Sequence, residues 1–408
     1  MKTFRLALPA LLSFSLLITA PLTPQTKSGW SEPVEIYYQK DRKKVPALFP
    51  LGMHADGNNL DVLYVSVRRD RAGKRENAEF TMARSSNGGK DWKYVAAALE
   101  SQGLINMSKP VFHDGFWHIV LQQEGPAPIY ASIHPPTGVS EATPIRILGK
   151  PRMSRFVMPT LRVHNGKFYT LFASDEKSSP ANRVYLLESA DGKSWNNIAP
   201  EGWRHYSMRS GRPVLYTTRA LLHVLIQEHL DGWQYSHYQR FDAGSGPWNR
   251  VRVQGHESLT TYPFAAEHSR NKTVLIDGYQ WAGKTPDYTL RAHTLDGAGA
   301  LRGGPTVIAP RVLKIWNEWT NLHAHNGRFM VLSENRLESP PGAGLYALYS
   351  ADGESWRNIA FRPAEGTVQV HATGTFSRTG DAFHMVYVDV KGKYEEGTLR
   401  FMYRRWTP

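Results

Sequence analysis

Two recurring sets of polar residues carry most of the chemistry that this sequence offers. One set precedes short segments in which a proline is followed by apolar residues, and the other ends the next apolar segment. The first set is Lys44, Lys109, Arg155, Arg209, Arg212, Tyr262 and Glu318, and the second is Arg68, Glu124, Asp175, Glu228, Trp281, Glu334, Arg336 and Asp389. Arginine pairs with carboxylate or sulfate, carboxyl groups transfer protons, and aromatic rings stack on sugars. The mixture indicates a site for a negatively charged sugar.

The candidate catalytic residues are Asp175, Glu228 and Tyr262. Hydrolysis of a glycosidic bond requires two carboxyl groups across that bond. Asp175 and Glu228 end equivalent segments, so we expect them to face the bond, with Tyr262 as a third participant. The candidate substrate-binding residues are Lys44, Arg68, Arg155, Arg212, Trp281 and Arg336. The alternative is a lyase reaction, in which Tyr262 or His371 acts as the base and an arginine neutralises a uronate.

Other reaction classes lack the residues that they need. The chain has no cysteine, which excludes disulfides, thiolate zinc sites and a cysteine nucleophile. The densest histidine groups are His323-Ala324-His325 and the pair His113 and His118. Neither has the helical spacing of a zinc protease, and Walker and dinucleotide-binding motifs are absent from the sequence. We therefore expect neither a metal nor a cofactor.

Three similar turns position these candidates. They read Ser-Ser-Asn-Gly-Gly-Lys-Asp-Trp at 85–92, Ser-Ala-Asp-Gly-Lys-Ser-Trp at 189–195 and Ser-Ala-Asp-Gly-Glu-Ser-Trp at 350–356. In each turn, the Asp or Asn side chain should accept hydrogen bonds from turn amides. The glycine supplies a positive φ, and the Trp packs under the next strand. The turns fit a period of roughly 53 residues, the length of a four-stranded propeller blade.

A proline-containing segment marks the first strand of each repeat. The markers are Pro46, Pro110, Pro159, Pro213 and Pro263, and weaker copies begin near Asn321 and Thr373. Seven markers predict an all-β fold, a β-propeller of seven four-stranded blades, with six blades as the alternative. The last repeat lacks an outer strand, and we expect the N-terminal segment Pro33–Tyr38 to supply it and close the ring.

The Ser-x-Asp-x-Gly-x-x-Trp turns resemble the Asp-box of the bacterial neuraminidase (BNR) repeat. The chain therefore resembles the sialidase-like β-propeller superfamily, from about residue 30 to its end. The resemblance implies that the boxes are structural and lie on the face opposite the active site. Sialidases open their first blade with an aromatic-Arg-Ile-Pro motif that supplies a carboxylate-binding arginine. The matching position reads Lys44-Val45-Pro46, so lysine replaces the arginine and its bidentate fork.

The resemblance and the candidate residues together favour a carbohydrate-active enzyme. We expect a glycoside hydrolase that acts on an anionic glycan, containing sialic acid, uronic acid or sulfate. The alternatives are a polysaccharide lyase, because some seven-bladed relatives of the superfamily are lyases on acidic glycans, and a non-catalytic propeller that binds glycan or protein.

The amino-acid composition and the N-terminal residues limit where the protein can act and what it can bind. The chain has 49 Lys and Arg residues and 36 Asp and Glu residues, which gives a net charge of +13. Hydrophobic residues make up 41% of the chain, which excludes wholesale disorder.

Lys2 and Arg5 precede an apolar run that ends at Ala20. This pattern predicts a signal peptide at 1–20, and we expect the rest of the chain to form a single domain at 30–408. We expect a secreted or periplasmic monomer without membrane insertion. Dispersed basic residues and export argue against nucleic acid.

Overall fold

The protein is described by a computed structural model. It describes residues 29–39, 47–69, 76–123, 127–146, 156–174, 182–205, 213–218, 221–229, 233–241, 247–253, 261–280, 287–296, 301–313, 320–335, 344–359, 366–392 and 398–408. The predicted signal peptide lies outside these ranges. Within the described ranges, no apolar helix has the length to cross a membrane.

The described residues form strands and turns that assemble into seven antiparallel sheets, here called blades I to VII. The chain begins with β1 (Gly29–Trp30) and β2 (Val34–Gln39), which join blade VII. Blade I contains β3 (Ala47–Asp56), β4 (Asn59–Arg69), β5 (Glu76–Ser85) and β6 (Lys93–Gln102). Blade II contains β7 (Leu104–Met107), β8 (Val111–His113), β9 (Phe116–Gln123), β10 (Ile129–Ile133) and β11 (Ser140–Pro144). Blade III contains β12 (Phe156–His164), β13 (Lys167–Ser174), β14 (Asn182–Ser189), β15 (Asn196–Asn197) and β16 (Arg204–His205).

The remaining blades follow the same order. Blade IV contains β17 (Val214–Thr217), β18 (Leu221–His229), β19 (Trp233–Phe241) and β20 (Asn249–Val253). Blade V contains β21 (Thr261–Ser269), β22 (Lys272–Gln280), β23 (Asp287–Leu295) and β24 (Leu301–Leu313). Blade VI contains β25 (Asn321–His325), β26 (Arg328–Asn335), β27 (Gly344–Ser350) and β28 (Arg357–Asn358). Blade VII contains β29 (Thr367–Phe376), β30 (Phe383–Lys391) and β31 (Thr398–Thr407).

The blades form a closed ring around a central channel. The first strands β12, β17, β21, β25, β29 and β3 contact one another in that order, and blade II lies between blades I and III. The N-terminal β2 pairs with β31, with Val34 opposite Tyr403. The predicted all-β propeller, closed by the N-terminal strand, is confirmed, and the seven sheets correspond to the seven repeats.

The hydrophobic core lies between neighbouring blades, because successive side chains of a strand point to opposite faces of its sheet. On β26, Phe329 and Val331 pack in a cluster with residues of blade V. Met330 and Leu332, which alternate with them, pack in a cluster with residues of blade VII. Both faces of each second strand are buried, which explains why these strands are continuous apolar runs in the sequence.

The Asp-box turns have the predicted hydrogen bonds. Asp191 accepts bonds from the amides of Lys193 and Ser194 at 2.8 and 2.9 Å, and Ser189 Oγ accepts one from Gly192 N at 2.8 Å. The φ of Gly192 is 73°. Trp195 is buried, as predicted, and donates a 2.9 Å bond to the Gly192 carbonyl. Trp356 is half-buried, so it is covered less completely than Trp195. Its ring is only partly covered by the blade V–VI cluster.

The Asp-box turns of blades I and III also pack against the preceding blade through an aromatic residue. In blade II, Tyr130 lies under the Asp-box of blade III and bonds to His118 Nδ1 at 2.6 Å. In blade VII, Tyr403 lies under the Asp-box of blade I and bonds to His384 Nδ1 at 2.8 Å. The two Tyr–His pairs occupy equivalent positions, so these boxes act as structural joints between blades.

Strand direction separates the two faces of the ring. In blade I, the first hairpin turn contacts the Asp-box turn through a 2.9 Å bond from Gly88 N to Asn58 O. These two kinds of turn therefore share one face, called here the box face. Strand alternation then brings the second-to-third connections and the passages between blades to the opposite face, called here the open face.

The proline marker of blade I does not lie at the residue that the sequence analysis assigned. The register of β3 shifts between Pro50 and Gly52, and that of β21 shifts between Pro263 and Ala265. Pro50, and not Pro46, is therefore the residue of blade I that corresponds to Pro263. Phe49 precedes it, where Tyr262 precedes Pro263. Counting from prolines alone missed this shift because two prolines lie close together near the start of β3.

Candidate functional site

The residues predicted from the sequence mostly lie outside the described part of the chain. This holds for Lys44, Arg155, Asp175, Arg212, Trp281 and Arg336. Arg68, Glu228 and Tyr262 lie on β4, β18 and β21, where the backbone is described and the side chains are not. The backbone brings these three positions toward the open face. The catalytic roles of Asp175, Glu228 and Tyr262 therefore stay predictions.

A bulge in the first strand of blade VII re-aims a histidine. The pairing of β29 with β30 shifts between Val370 and Thr373, so two residues of β29 fall opposite one of β30. His371 lies in this bulge with a φ of 52°, in the left-handed region that side chains other than glycine seldom adopt. Its side chain is 1% exposed. Bulges of this kind commonly redirect a side chain next to an active site.

Glu334 holds His371 from the neighbouring blade. Its Oε1 accepts a hydrogen bond from the His371 backbone N–H and lies 3.0 Å from His371 Nδ1. The Glu334 side chain is also buried. A carboxylate beside Nδ1 favours the tautomer with its proton on that nitrogen, which makes Nε2 the basic nitrogen of the ring. We call Glu334 and His371 the dyad.

Asp389 is a buried carboxyl group on the side of β30 that faces blade VI. Along β30, Phe383, Met385 and Tyr387 pack toward blade VI, and Asp389 continues that alternation. Burial raises its pKa to about 6, although a hydrogen bond from Gln369 and the charges of Arg404 and Arg400 oppose the rise. A carboxyl group with this pKa holds its proton into the range where enzymes use an acid.

Phe49 covers the dyad from a third blade. Its ring centroid lies 4.6 Å from that of His371 in an edge-on arrangement, and Phe49 is half-buried. Blade I thus contributes an aromatic contact to the imidazole. Sequence reasoning missed this contact, because it depends on the bulge and on the meeting of the first and last blades.

The central channel has a volume of about 360 Å³ and is lined by residues of all seven blades. Phe49, Glu334 and His371 are not among its lining residues. Lys109 of blade II donates a 3.0 Å bond to the Thr320 carbonyl at blade VI. Arg162 of blade III bonds to the Leu215 carbonyl at 3.2 Å and to Glu267 of blade V. Both cations thus bond to residues of other blades.

The histidine groups that the sequence singled out do not form a metal site. Among the described residues, no group of three or more histidine and acidic side chains is arranged to hold a metal ion. His118 is bonded to Tyr130 and to the His113 carbonyl. Both ring nitrogens of His118 thus have partners within the protein.

Blade V contains a charged cluster that sequence reasoning missed. Asp277 accepts bonds from Arg291 Nε and Nη2 at 2.9 and 2.8 Å, and it lies 2.7 Å from His293 Nε2. The sequence feature that could have revealed this cluster is an aspartate, Asp277, inside the apolar run of β22. All three side chains are buried, and both Arg291 and His293 bond to Asp277, so the cluster braces β22 against β23.

Comparisons with known proteins give the fold. No family model and no curated protein matches the sequence. The polysaccharide lyase Uly1 is similar with a TM-score of 0.52 and 9% identity, over 86% of this chain and 89% of that chain. The GH93 alpha-L-arabinofuranosidase of Fusarium graminearum is similar with a TM-score of 0.45 and 12% identity, over 92% of this chain and 97% of that chain. Similar structures thus include a lyase and glycoside hydrolases, and at these identities they show the fold alone.

Proposed function

We propose that this protein is a carbohydrate-active enzyme of the sialidase-like propeller superfamily that cleaves an anionic polysaccharide by β-elimination. The contact of Glu334 with His371 carries the proposal. It supplies an oriented imidazole at the seam of blades VI and VII. Because Glu334 is already engaged with His371, it is poorly placed to act as the second carboxylate of a hydrolase.

The elimination uses three groups. Nε2 of His371 removes the proton on the carbon next to the uronate carboxylate, and the released electron pair forms a carbon–carbon double bond. The glycosidic C–O bond breaks, and the leaving oxygen takes a proton from Asp389. Arg155 and Arg212, predicted at the open face, neutralise the uronate during proton removal. Glu334 is a positioning residue that acts through His371.

The basic charge of the chain supports an anionic substrate, since a positive surface attracts a polyanion. The predicted signal peptide supports action outside the cytoplasm, where such polysaccharides are degraded. We propose a monomer that is secreted or periplasmic and binds glycan at its open face.

A hydrolase is the second candidate, and the raised pKa of Asp389 favours it. A glycosidase needs one carboxyl group that stays protonated near neutral pH. Asp175 and Glu228 remain the predicted hydrolytic pair, and Asp389 would add an acid on another seam.

One screen separates these functions. Purified protein is incubated with sialosides, uronic acid polysaccharides and sulfated glycans, and reducing ends and the ultraviolet absorbance of an unsaturated product are followed together. A lyase raises both signals, whereas a hydrolase raises reducing ends alone. Retention on a glycan column without either signal identifies a binding protein and contradicts both enzymes.

A variant pair ties the activity to the dyad. His371→Asn should lower the activity by about 100-fold or more while the fold is retained. His134→Asn, at a turn on the box face, should leave the rate unchanged. Equal activity of both variants would remove the dyad from the mechanism.

A further inference from the structure

Three Asn-Gly pairs occupy turns on the box face. Asn165-Gly166 and Asn326-Gly327 form the first hairpin turns of blades III and VI, and Asn87-Gly88 lies in the Asp-box turn of blade I. A two-residue hairpin turn of this kind needs a positive φ at both residues, and the two hairpin asparagines have φ values of 48° and 50°. The same residue pair is chemically labile, because glycine has no side chain to shield its amide nitrogen from the preceding carboxamide.

Loss of the asparagine amide is an intramolecular reaction of such a pair. The glycine nitrogen gives its proton to water and attacks Cγ of the asparagine. The N–Cγ bond forms, the Cγ–Nδ2 bond breaks, and ammonia leaves. Water then opens the cyclic imide at either carbonyl, which gives aspartate or isoaspartate. Because the two reacting groups belong to neighbouring residues, the fold controls the rate by holding or releasing them. A hydrogen bond donated by the glycine N–H must break before the attack and therefore slows it.

Two of the three pairs have a glycine N–H that is already bonded. Gly327 N–H donates a 2.8 Å hydrogen bond to Oγ of Ser269 in blade V. Gly88 N–H donates a 2.9 Å bond to the Asn58 carbonyl. The carboxamide oxygen of Asn87 also accepts bonds from two amides of its own turn, at 3.1 and 3.0 Å. In both pairs, the nucleophile is held away from the reaction.

The Asn165-Gly166 turn differs at the nucleophile. Both residues are exposed, and a Cβ added to Gly166 would meet nothing within 4 Å. Gly166 N–H makes no hydrogen bond to any residue of the described ranges. The Asn165 carboxamide has contacts of its own, and its Nδ2 lies 3.3 Å from Nε2 of His164. That contact places an imidazole nitrogen beside the leaving group, where it can transfer a proton to the departing ammonia.

We propose that Asn165 is a site of spontaneous deamidation in the folded protein, and that Asn87 and Asn326 are protected by the hydrogen bonds of the glycines that follow them. The product has an additional negative charge at the first hairpin turn of blade III, and isoaspartate adds a methylene group to the backbone of that turn. The turn lies on the box face, away from the dyad and from the predicted open-face site. The proposal is therefore independent of the proposed function.

Peptide mapping by mass spectrometry tests the proposal. The intact protein is incubated in mildly alkaline buffer, and aspartate and isoaspartate are quantified over time at the three asparagines. Asn165 should convert faster than Asn87 and Asn326 by roughly two- to tenfold, the factor that one net hydrogen bond is worth. In urea, the three pairs should convert at similar rates, because the fold no longer distinguishes them. No conversion at Asn165, or folded-state conversion that is equal or faster at another pair, overturns the proposal.

A matched pair of serine variants tests the protection itself. Ser269→Ala removes the acceptor of the Gly327 N–H, and it should raise the conversion of Asn326 by roughly two- to tenfold while Asn165 is unchanged. Ser194→Ala, at an exposed position of the blade III Asp-box, should change neither rate. An unchanged rate at Asn326 in Ser269→Ala contradicts protection by the hydrogen bond.

Amide hydrogen exchange gives the same comparison without a variant. In the wild type, the Gly166 N–H should exchange faster with solvent than the N–H groups of Gly88 and Gly327, because those two are hydrogen-bonded. Nuclear magnetic resonance of the labelled intact protein measures the three rates. Equal protection of the three glycine amides removes the structural basis of the proposal.

Discussion

At the scale of single residues, the dyad joins an uncommon backbone conformation to a buried charge. His371→Asn should lower kcat by about 100-fold or more, because general bases contribute at least that factor. Glu334→Gln keeps an acceptor for the His371 amide and loses the charge. It should lower kcat less and displace the pH dependence of kcat, with KM little changed. A lower melting temperature with an unaltered pH profile would make the pair purely structural.

Asp389 gives a prediction on stability and pH. Its folded-state pKa of about 6 exceeds the unfolded value of about 3.9. The folded protein therefore holds the proton more tightly, and this stabilisation is complete below about pH 4 and lost as pH rises through about 6, by about 2–3 kcal/mol. The pKa values of Asp191, Asp352 and Asp381 are lowered, so these groups act in the opposite direction in both proteins. The unfolding free energy of the wild type minus that of Asp389→Asn, which cannot ionise, should therefore fall by this amount between acidic and neutral pH, and a difference that does not change with pH would refute the assignment.

At the scale of elements, the Asp-box turns depend on glycine for conformation and for space. The φ of Gly192 and of Gly166 is 73° in both cases. A Cβ at Gly192 would lie 2.2 Å from the Tyr130 ring, whereas nothing lies within 4 Å at Gly166. Gly166→Ala should cost about 1–2 kcal/mol for the left-handed backbone. Gly192→Ala should lose a further 1–3 kcal/mol of unfolding free energy, roughly the penalty for overpacking. Chemical unfolding of both variants measures these losses. Equal losses would mean that the Tyr130 ring moves aside.

Replacement of the Asp-box tryptophans should reduce stability by different amounts in the same chemical unfolding assay. Trp195 is 3% exposed, and its replacement by Ala should cost about 3–5 kcal/mol. Trp356 is half-buried, so Trp356→Ala should cost less. Neither variant should change substrate specificity, because both rings lie on the box face. Loss of activity at full stability would reverse the assignment of the two faces.

The sequence was informative about these elements because they are local. A turn such as Ser189–Trp195 contains its own hydrogen-bond donors and acceptors, and its repetition defines the blade. The site is not local. Glu334 and Asp389 were already candidates for the open face, and His371 for the base. Their meeting with Phe49 depends on a bulge and on contacts between residues far apart in the chain, which no spacing in the sequence encodes.

At the scale of the whole molecule, the ring is held closed by β2. This strand covers the edge of β31 and buries Ile36 in the cluster between blades VII and I. A chain shortened to begin after Gln39 should lose about 5–10 °C in melting temperature and associate through the exposed strand edge. Differential scanning calorimetry and light scattering measure both effects. A shortened chain that stays monomeric with full stability would show that the last blade needs only three strands.

The pairing of β2 with β31 also has a consequence in time. A ribosome adds about 5–20 residues per second, so β2 waits roughly 20 seconds or more before the residues of β31 exist. A translation product that stops before Thr398 leaves β2 without a partner and β30 with an uncovered edge. Such fragments should aggregate or be degraded, because only a chain that already includes β31 can cover both edges. The ring therefore cannot close before the residues of β31 have been made.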